Sequence, residues 1–320
     1  MPGRQTIGVD MGGSKLLAGV VDAELSVHSR TQRPLLGLDQ SALLDVAVEA
    51  VEEVRSVSEG EVAAVGFGIP ALIDRRTGEA VMAVNLPLAD IMFGEVMAER
   101  LGLPVFVDND ANMAVLAEHR RGAAAGCSEV VMLTIGTGIG GGLVLGGQLY
   151  RGAFGAGAEL GHTVVDLNGP RCQGNCPNFG CIESVASGTA LAREAVRIAG
   201  ERPDSGLGMA LADGQELLGP LVTELAFDGD PAALEVLELI GSRLGVAIAN
   251  FVNIFNPQMV VIGGGVMAAG EFLLRPAREV VAARALRPSR DEVRIVTAAF
   301  GVEAGMVGAG AFALDGLGGI

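Results

Sequence analysis

The chain has 320 residues, 50% of them hydrophobic and 19% charged, with a formal net charge of −16. That composition excludes a disordered chain, and an acidic surface without clustered Lys and Arg argues against a nucleic-acid backbone as partner. The length has room for two domains of ordinary size, each with its own core.

Ile7 to Asp10 reads as a short apolar strand ending in an acid, Met11-Gly12-Gly13-Ser14-Lys15 as a tight turn, and Leu16 to Val21 as a second strand. Leu25 to Arg30 is expected to pair as a third. A glycine loop that leads into a strand, where Walker and Rossmann loops lead into a helix, fails the context of both motifs. Ser41 to Val57 predicts an amphipathic helix, and Val62 to Phe67 a buried strand ending at Gly66-Phe67-Gly68-Ile69-Pro70. A helix over Asp90 to Leu101 and a strand over Val105 to Val107 follow. Asp108-Asn109-Asp110-Ala111-Asn112 then opens a helix that runs to Gly122, with acids and asparagines suited to N-capping.

A second pattern starts at Val130 to Ile135, turns at Gly136-Thr137-Gly138 and returns over Gly141 to Leu145. Ser187 to Asn253 is mostly helical, with Pro231 opening a long apolar helix. Met259 to Ile262 reads as a strand ending at Gly263-Gly264-Gly265, Val293 to Thr297 as a last strand and Val302 to Leu314 as a last helix. Two halves that each open on a hairpin around a glycine turn imply a duplicated α/β architecture with a cleft between them. The start, M-P-G-R-Q-T, lacks the apolar core of a signal peptide. The uncharged runs Leu244 to Gly270 and Val130 to Tyr150 are broken by Asn, Pro and Gly. No membrane span is expected, and a cytoplasmic location is.

Three features carry chemistry. His162, Cys172, Cys176 and Cys181 offer one imidazole and three thiolates within a short stretch, the donor set of a closed, structural zinc site. Glu159 and Glu183 flank it, which suggests a loop that also holds a polar ligand; a zinc staple with no further role is the plainer alternative. Cys127 stands apart, and this usage fits a reducing compartment. Second, each of the three glycine turns follows an apolar strand. Such turns let backbone N–H groups approach phosphate oxygens, with Ser14 and Thr137 adding hydroxyl donors. Ordinary turns in a glycine-rich protein are the alternative. Third, Asp10 could hold Mg²⁺ through water. His28 and His119 read as ordinary surface or helix residues, and Met11, Met82, Met113 and Met132 as packing.

D-M-G-G-S-K, N-D-A-N, L-T-I-G-T-G-I-G-G-G-L, E-L-G-H and the cysteine loop ending C-I-E together resemble the ROK family of repressors and sugar kinases, over Ile7 to Phe312. The resemblance implies the actin-like ATPase (ribonuclease H-like) fold. It implies two domains: a small one over 1–112 completed by a helix over 301–320, and a large one over 113–300 carrying the metal loop 162–183. It implies ATP-dependent phosphorylation of glucose at its 6-hydroxyl, with ATP, Mg²⁺ and structural Zn²⁺, in a homodimer or homotetramer. Residue by residue, Asp110 matches the catalytic aspartate, and Asn109, Glu159, His162, Glu183 and the neighbourhood of Gly68 match the sugar contacts. Asp10, Gly12, Gly13, Ser14, Lys15, Thr137 and Gly138 fall on the phosphate side, and Gly263 and Gly264 on the adenosine side.

A carboxylate within reach of a sugar hydroxyl can take its proton as the oxygen attacks the γ-phosphoryl group. For Asp110 the competing role is that of a helix N-cap. His162 can give one ring nitrogen to zinc, which fixes the other as a donor to a sugar hydroxyl. The chain departs from the family's C-x-C-G-x-x-G-C-x-E with C-x-x-x-C-x-x-x-x-C-x-E, so its knuckle must be built differently, and Ser14 stands where Thr is common. Other readings are a kinase for N-acetylmannosamine, N-acetylglucosamine or fructose, a polyphosphate-using enzyme, a sugar-sensing regulator or a zinc-ribbon module. The regulators carry a helix-turn-helix ahead of the first glycine turn, for which Asp10 falls too near the start. The zinc-ribbon reading leaves the glycine turns and N-D-A-N unexplained.

Overall fold

A computed structural model describes residues 4–74, 79–83 and 86–318. The chain opens on an antiparallel meander of β1 (Gln5–Met11), β2 (Lys15–Val21) and β3 (Val27–Pro34), with Val9 opposite Ala18. β1 and β2 are almost wholly buried, whereas β3 alternates towards solvent, as an edge strand does. Asp39 caps α1 (Gln40–Ser56) by accepting from the Ala42 N–H. The helix buries Leu43, Leu44, Ala47, Ala50, Val51 and Val54, a stripe at helical spacing. β4 (Val62–Ile69) runs parallel to β1, with Phe67 beside Val9.

The next segment departs from expectation. β5 (Ala71–Asp74), β6 (Glu79–Ala83) and β7 (Ala89–Ile91) form a small antiparallel sheet. Asp90 therefore lies in a strand, and α2 (Phe93–Leu101) begins later than its apolar pattern suggests, ending at Gly102 in the left-handed region. β8 (Val105–Asn109) lies parallel to β4 and leads into α3 (Asp110–Arg121). The first sheet has the order β3-β2-β1-β4-β8.

β9 (Val130–Ile135), β10 (Ile139–Leu145) and β11 (Gln148–Leu149) open the second pattern. Then come α4 (Ile182–Ala186), α5 (Gly188–Glu201), α6 (Gly206–Ala212), α7 (Gly219–Phe227) and α8 (Pro231–Phe255). α8 starts with Pro at its first turn and is capped by Asp230. β12 (Met259–Gly263), α9 (Glu271–Arg284), α10 (Ser289–Glu292), β13 (Arg294–Thr297) and α11 (Ala304–Gly318) complete the chain. The second sheet has the order β11-β10-β9-β12-β13, with β12 parallel to β9 and to β13. A hairpin followed by parallel strands appears in both sheets, the duplication implied by the sequence.

The chain divides into two compact units, Met1–Ser128 with Gly142–Ala158 and Ala298–Ile320, and Glu129–Gly141 with Glu159–Thr297. The first unit runs past the residue-112 division expected from sequence and keeps α3 whole. The reason is close packing: a Cβ on Gly308 of α11 would overlap the Met113 carbonyl of α3, and one on Gly66 of β4 would overlap the Ala309 carbonyl. Val21, Met113, Leu116, Ala117, Met306, Val307 and Ala309 share a core there. Among the described residues, no helix is long and apolar enough to cross a membrane.

Candidate active site

The parallel strands of the first unit end abreast. Asp10 stands opposite Gly68 in register, and Gly68 opposite Asp108. Asp10, Gly68 and the start of α3 therefore share the carboxyl edge of the sheet, where open α/β sheets place ligands. Position 68 has little room: a Cβ there would lie 3.2 Å from the Asp110 Cα. Asn109 caps α3, its Oδ1 accepting from the N–H groups of Ala111 at 2.9 Å and Asn112 at 3.2 Å. The cap is thus Asn109, and Asp110 is the first helical residue, with Oδ1 2.9 Å from the Ala111 nitrogen.

Burial, and then the Asp110 charge, push the Asp10 carboxyl up from 3.8 to about 7, with Lys15 opposing them. Part of that burial comes from α11, since a Cβ on Gly305 would stand 2.6 Å from the carboxyl carbon of Asp10. A desolvated carboxylate beside a second one suits a cation held through water. The turn that follows is closed by Gly12 N–H donating to the Lys15 carbonyl at 2.9 Å, and Gly13, Ser14 and Lys15 are exposed.

In the second unit the corresponding turn is braced. Gly136 N–H donates to the Gly138 carbonyl at 2.9 Å, Gly188 N–H to the Gly136 carbonyl at 2.8 Å, and Thr189 Oγ1 to the Thr137 carbonyl at 2.9 Å. Gly263 pairs with Thr134, and Gly264 has φ 90° where a Cβ would overlap the Ile135 carbonyl. Only glycine fits there. Gly263 and Gly264 of the third turn thus lie against the end of β9.

The metal loop folds as a knuckle. Val164 bridges Cys181 and Arg171 bridges Phe179, while Cys172 N–H donates to the Asn178 carbonyl at 2.9 Å. These pairings absorb the wide cysteine spacing and bring one donor atom each from His162, Cys172, Cys176 and Cys181 within 4.8 Å of one another. His162 Nδ1 lies 3.5 Å from Cys172 Sγ, and the Sγ atoms of Cys176 and Cys181 are 3.9 Å apart. Vertices of a zinc tetrahedron with bonds of 2.0–2.3 Å stand roughly 3.3–3.8 Å apart, so the donor set fits and the 3.5 and 3.9 Å separations lie close to that range. Burial raises the Cys172 and Cys181 thiols, and the neighbouring thiols add to this at Cys172, so the cluster resists ionisation without a cation.

The other imidazole nitrogen of His162, Nε2, faces Glu159 Oε2 at 3.9 Å. Glu159 keeps 47% of its side chain exposed. Partial burial raises its carboxyl, with the Glu183 charge adding and His162 opposing. Glu183 is buried, with Oε2 accepting from the Ile139 N–H at 2.8 Å and Oε1 3.8 Å from Cys172 Sγ. It ties the Thr137-Gly138 turn to the metal loop.

His28 pairs with Asp22 at 2.7 Å and His119 with the Cys127 carbonyl at 2.9 Å, neither among the candidate site residues. Met11, Met113 and Met132 are core; the side chain of Met82 lies outside the described residues. Sequence reasoning missed three groups. Asp108 reads only as a capping acid, and Arg151, 43 residues away, contacts it without any local signal. Glu118 is fully buried and accepts from the N–H groups of Ala123, Ala299 and Phe300.

The ROK family model matches residues 6–315. A glucokinase of Thermotoga maritima is 38% identical over 322 residues, covering 100% of each chain. One from Streptomyces coelicolor is 35% identical over 95% of this chain and 96% of its own. The structure of a ROK family glucokinase from Streptomyces griseus, in complex with glucose and AMPPNP, matches with a TM-score of 0.89 at 34% identity, over 97% of this chain and 99% of that one.

Proposed function

The chain belongs to the ROK family, and on that premise we infer that it transfers the γ-phosphoryl group of ATP to the 6-hydroxyl of glucose. Its fold is the actin-like ATPase fold of the ROK sugar kinases. The observation that carries the reading is the row of Asp10, Gly68 and Asp110 at the carboxyl edge of β1, β4 and β8.

Asp110 is the proton acceptor. The Asn109 Oδ1 is taken by the helix cap, so its Nδ2 is the group left to hold the sugar in place. With Asn109 as cap, Asp110 is not needed for that role; its Oδ1 still accepts from the Ala111 N–H, and its place at the strand end beside Gly68 favours the chemical role. Glu159 and the Nε2 edge of His162 bind sugar hydroxyls. Glu183 supports the Thr137-Gly138 turn through Ile139 and backs the metal loop, with Oε1 3.8 Å from Cys172 Sγ; its role as a sugar contact follows the family resemblance. The backbone N–H groups of the Gly12-Gly13-Ser14 and Thr137-Gly138 turns hold phosphate oxygens, with Lys15 adding positive charge, and Gly263-Gly264 admits the adenosine. Mg²⁺, when bound, neutralises charge on the β- and γ-phosphate oxygens, and Asp10 would hold it through water. Zn²⁺ at His162, Cys172, Cys176 and Cys181 would fix the orientation of the imidazole.

Asp110→Asn is the test. It should lower kcat by about 10²–10⁴-fold and leave glucose affinity within a few-fold. Near wild-type kcat in a coupled ATP assay would refute the base. An initial-rate panel of glucose, fructose, N-acetylglucosamine and N-acetylmannosamine, crossed with ATP and polyphosphate, tests the choice of acceptor and donor.

A further inference from the structure

Two residues flanking the Asn109-Asp110 pair are buried: Asp108 is 6% exposed and Asn112 1%. A buried carboxylate is costly unless its oxygens are satisfied. Asp108 Oδ1 accepts from the Asn109 N–H at 2.7 Å and from Asn112 Nδ2 at 2.9 Å, and its Oδ2 receives Arg151 Nε. The Arg151 guanidinium also stands over the ring of Phe312 in α11, 5.2 Å from its centroid. Asn112 Oδ1 is buried with no hydrogen-bond partner among the described residues, so the bond to Asp108 is the hold on that amide.

The peptide that Asp108 grips is the one that aims Asn109, and Asn109 caps the helix whose first residue is Asp110. The pair also bears on charge. Burial, and after it the charge of Asp110, already raise the Asp10 carboxyl, so a further unneutralised acid here would be unfavourable. Arg151 neutralises the third acid of this neighbourhood. Its own segment closes on itself through the Gly157 N–H, which donates to the Arg151 carbonyl at 2.9 Å, and runs on to Glu159.

We propose that the ion pair of Arg151 with Asp108 positions Asp110 for proton abstraction, acting through the Asn109 peptide and the first turn of α3. The proposal rests on the reading of Asp110 as the base. Neither partner is assigned a contact with substrate; they are positioning residues. A reacting group misplaced by about 1 Å can lose on the order of 10²-fold in rate, which sets the scale.

The variant to make is Arg151→Ala. Arg151 lines a cleft of about 510 Å³ together with Arg120, Phe312 and Asp315, so a guanidinium ion can enter the space the side chain leaves. The expected result is a kcat lower by about 10–100-fold with glucose KM within about threefold, and recovery of at least several-fold in kcat on adding guanidinium at non-denaturing concentration. Arg120→Ala removes a guanidinium from the same cleft, where it pairs with Asp315, and should leave kcat unchanged. Because Arg151→Ala strands a buried charge and so lowers folding stability, the double variant Asp108→Asn with Arg151→Ala is measured too. It removes both charges and should lose no more than the larger single loss, the non-additivity of two groups that act as one. Wild-type kcat in Arg151→Ala, or a loss that tracks the folded fraction and ignores guanidinium, would overturn the proposal. Asp110→Asn in the same assay separates the two ideas. If it is inactive while Arg151→Ala is fully active, the positioning pair alone fails. If it is active, the base fails and the pair with it.

Discussion

Asp10 and Thr134 occupy equivalent places in two sheets of the same order. Each lies near the end of the first strand of a hairpin, opposite a glycine of the adjacent parallel strand, Gly68 for Asp10 and Gly263 for Thr134. Beyond that point the two hairpins part. The first places a carboxyl where burial and a second acid resist its charge, and its turn is exposed. The second has a neutral side chain, and its turn carbonyls are held by Gly188 and Thr189 at the start of α5. The repeated frame kept its backbone and divided its work: charge on one hairpin, rigidity on the other.

The most direct way to break this comparison is to neutralise each position in turn. Asp10→Asn should cost about 10²–10³-fold in kcat/KM, the scale of losing one group that organises transition-state charge, while Thr134→Val costs less than about threefold. Equal losses in a coupled ATP assay would erase the distinction. Next in size is the metal loop, which belongs to the rigid side. Cys176→Ser should purify without the single zinc expected per chain and lose on the order of 2–5 kcal/mol of stability. Hydrogen exchange would then rise over 162–183 and stay low over β1 and β2; uniform loss of protection would contradict a local role.

A third test concerns pH. The folded-state value of Asp10 lies above its ordinary one, from 3.8 to about 7. Its stabilising contribution is therefore complete below pH 3.8 and is lost as pH rises through about 7, by at most about 1.4 kcal/mol per pH unit. Metal-free wild type should lose Tm relative to Asp10→Asn between about pH 4 and about pH 7, with the difference constant above that. Parallel Tm curves would mean that the carboxyl is not desolvated. The smallest effect is expected at Thr189→Val, which removes one hydrogen bond to the Thr137 carbonyl and should cost about 1 kcal/mol. Thermal unfolding reads this directly, and no change would show that the turn is held without it.

Legibility followed the range of the signal. The hairpins announce themselves through apolar runs that stop at glycine, and the donor cluster through four ligands in a short stretch, so both were readable locally. β5, β6 and β7 are short strands with little period to read, and they were missed. α9 was missed as well. It buries Leu273, Leu274, Ala277 and Val281 but carries Pro276 inside, and an internal proline argues against a helix. The Asn109 cap was blurred by a run in which three successive residues could all serve. The contact of Arg151 with Asp108 and the triple acceptor role of Glu118 depend on residues far apart in sequence, which a local pattern does not encode.

The Thr6 hydroxyl donates to the Gly310 carbonyl at 2.9 Å, a contact that spans 304 residues. During synthesis at about 5–20 residues per second, β1 leaves the ribosome roughly 15–60 s before the helix that covers it. Through that interval the glycine-lined faces of β1 and β4 lack their cover, while the second unit can already form. The first unit is thus begun first and finished last, and its nascent sheet is the part of this protein most exposed to chaperones and to misassembly.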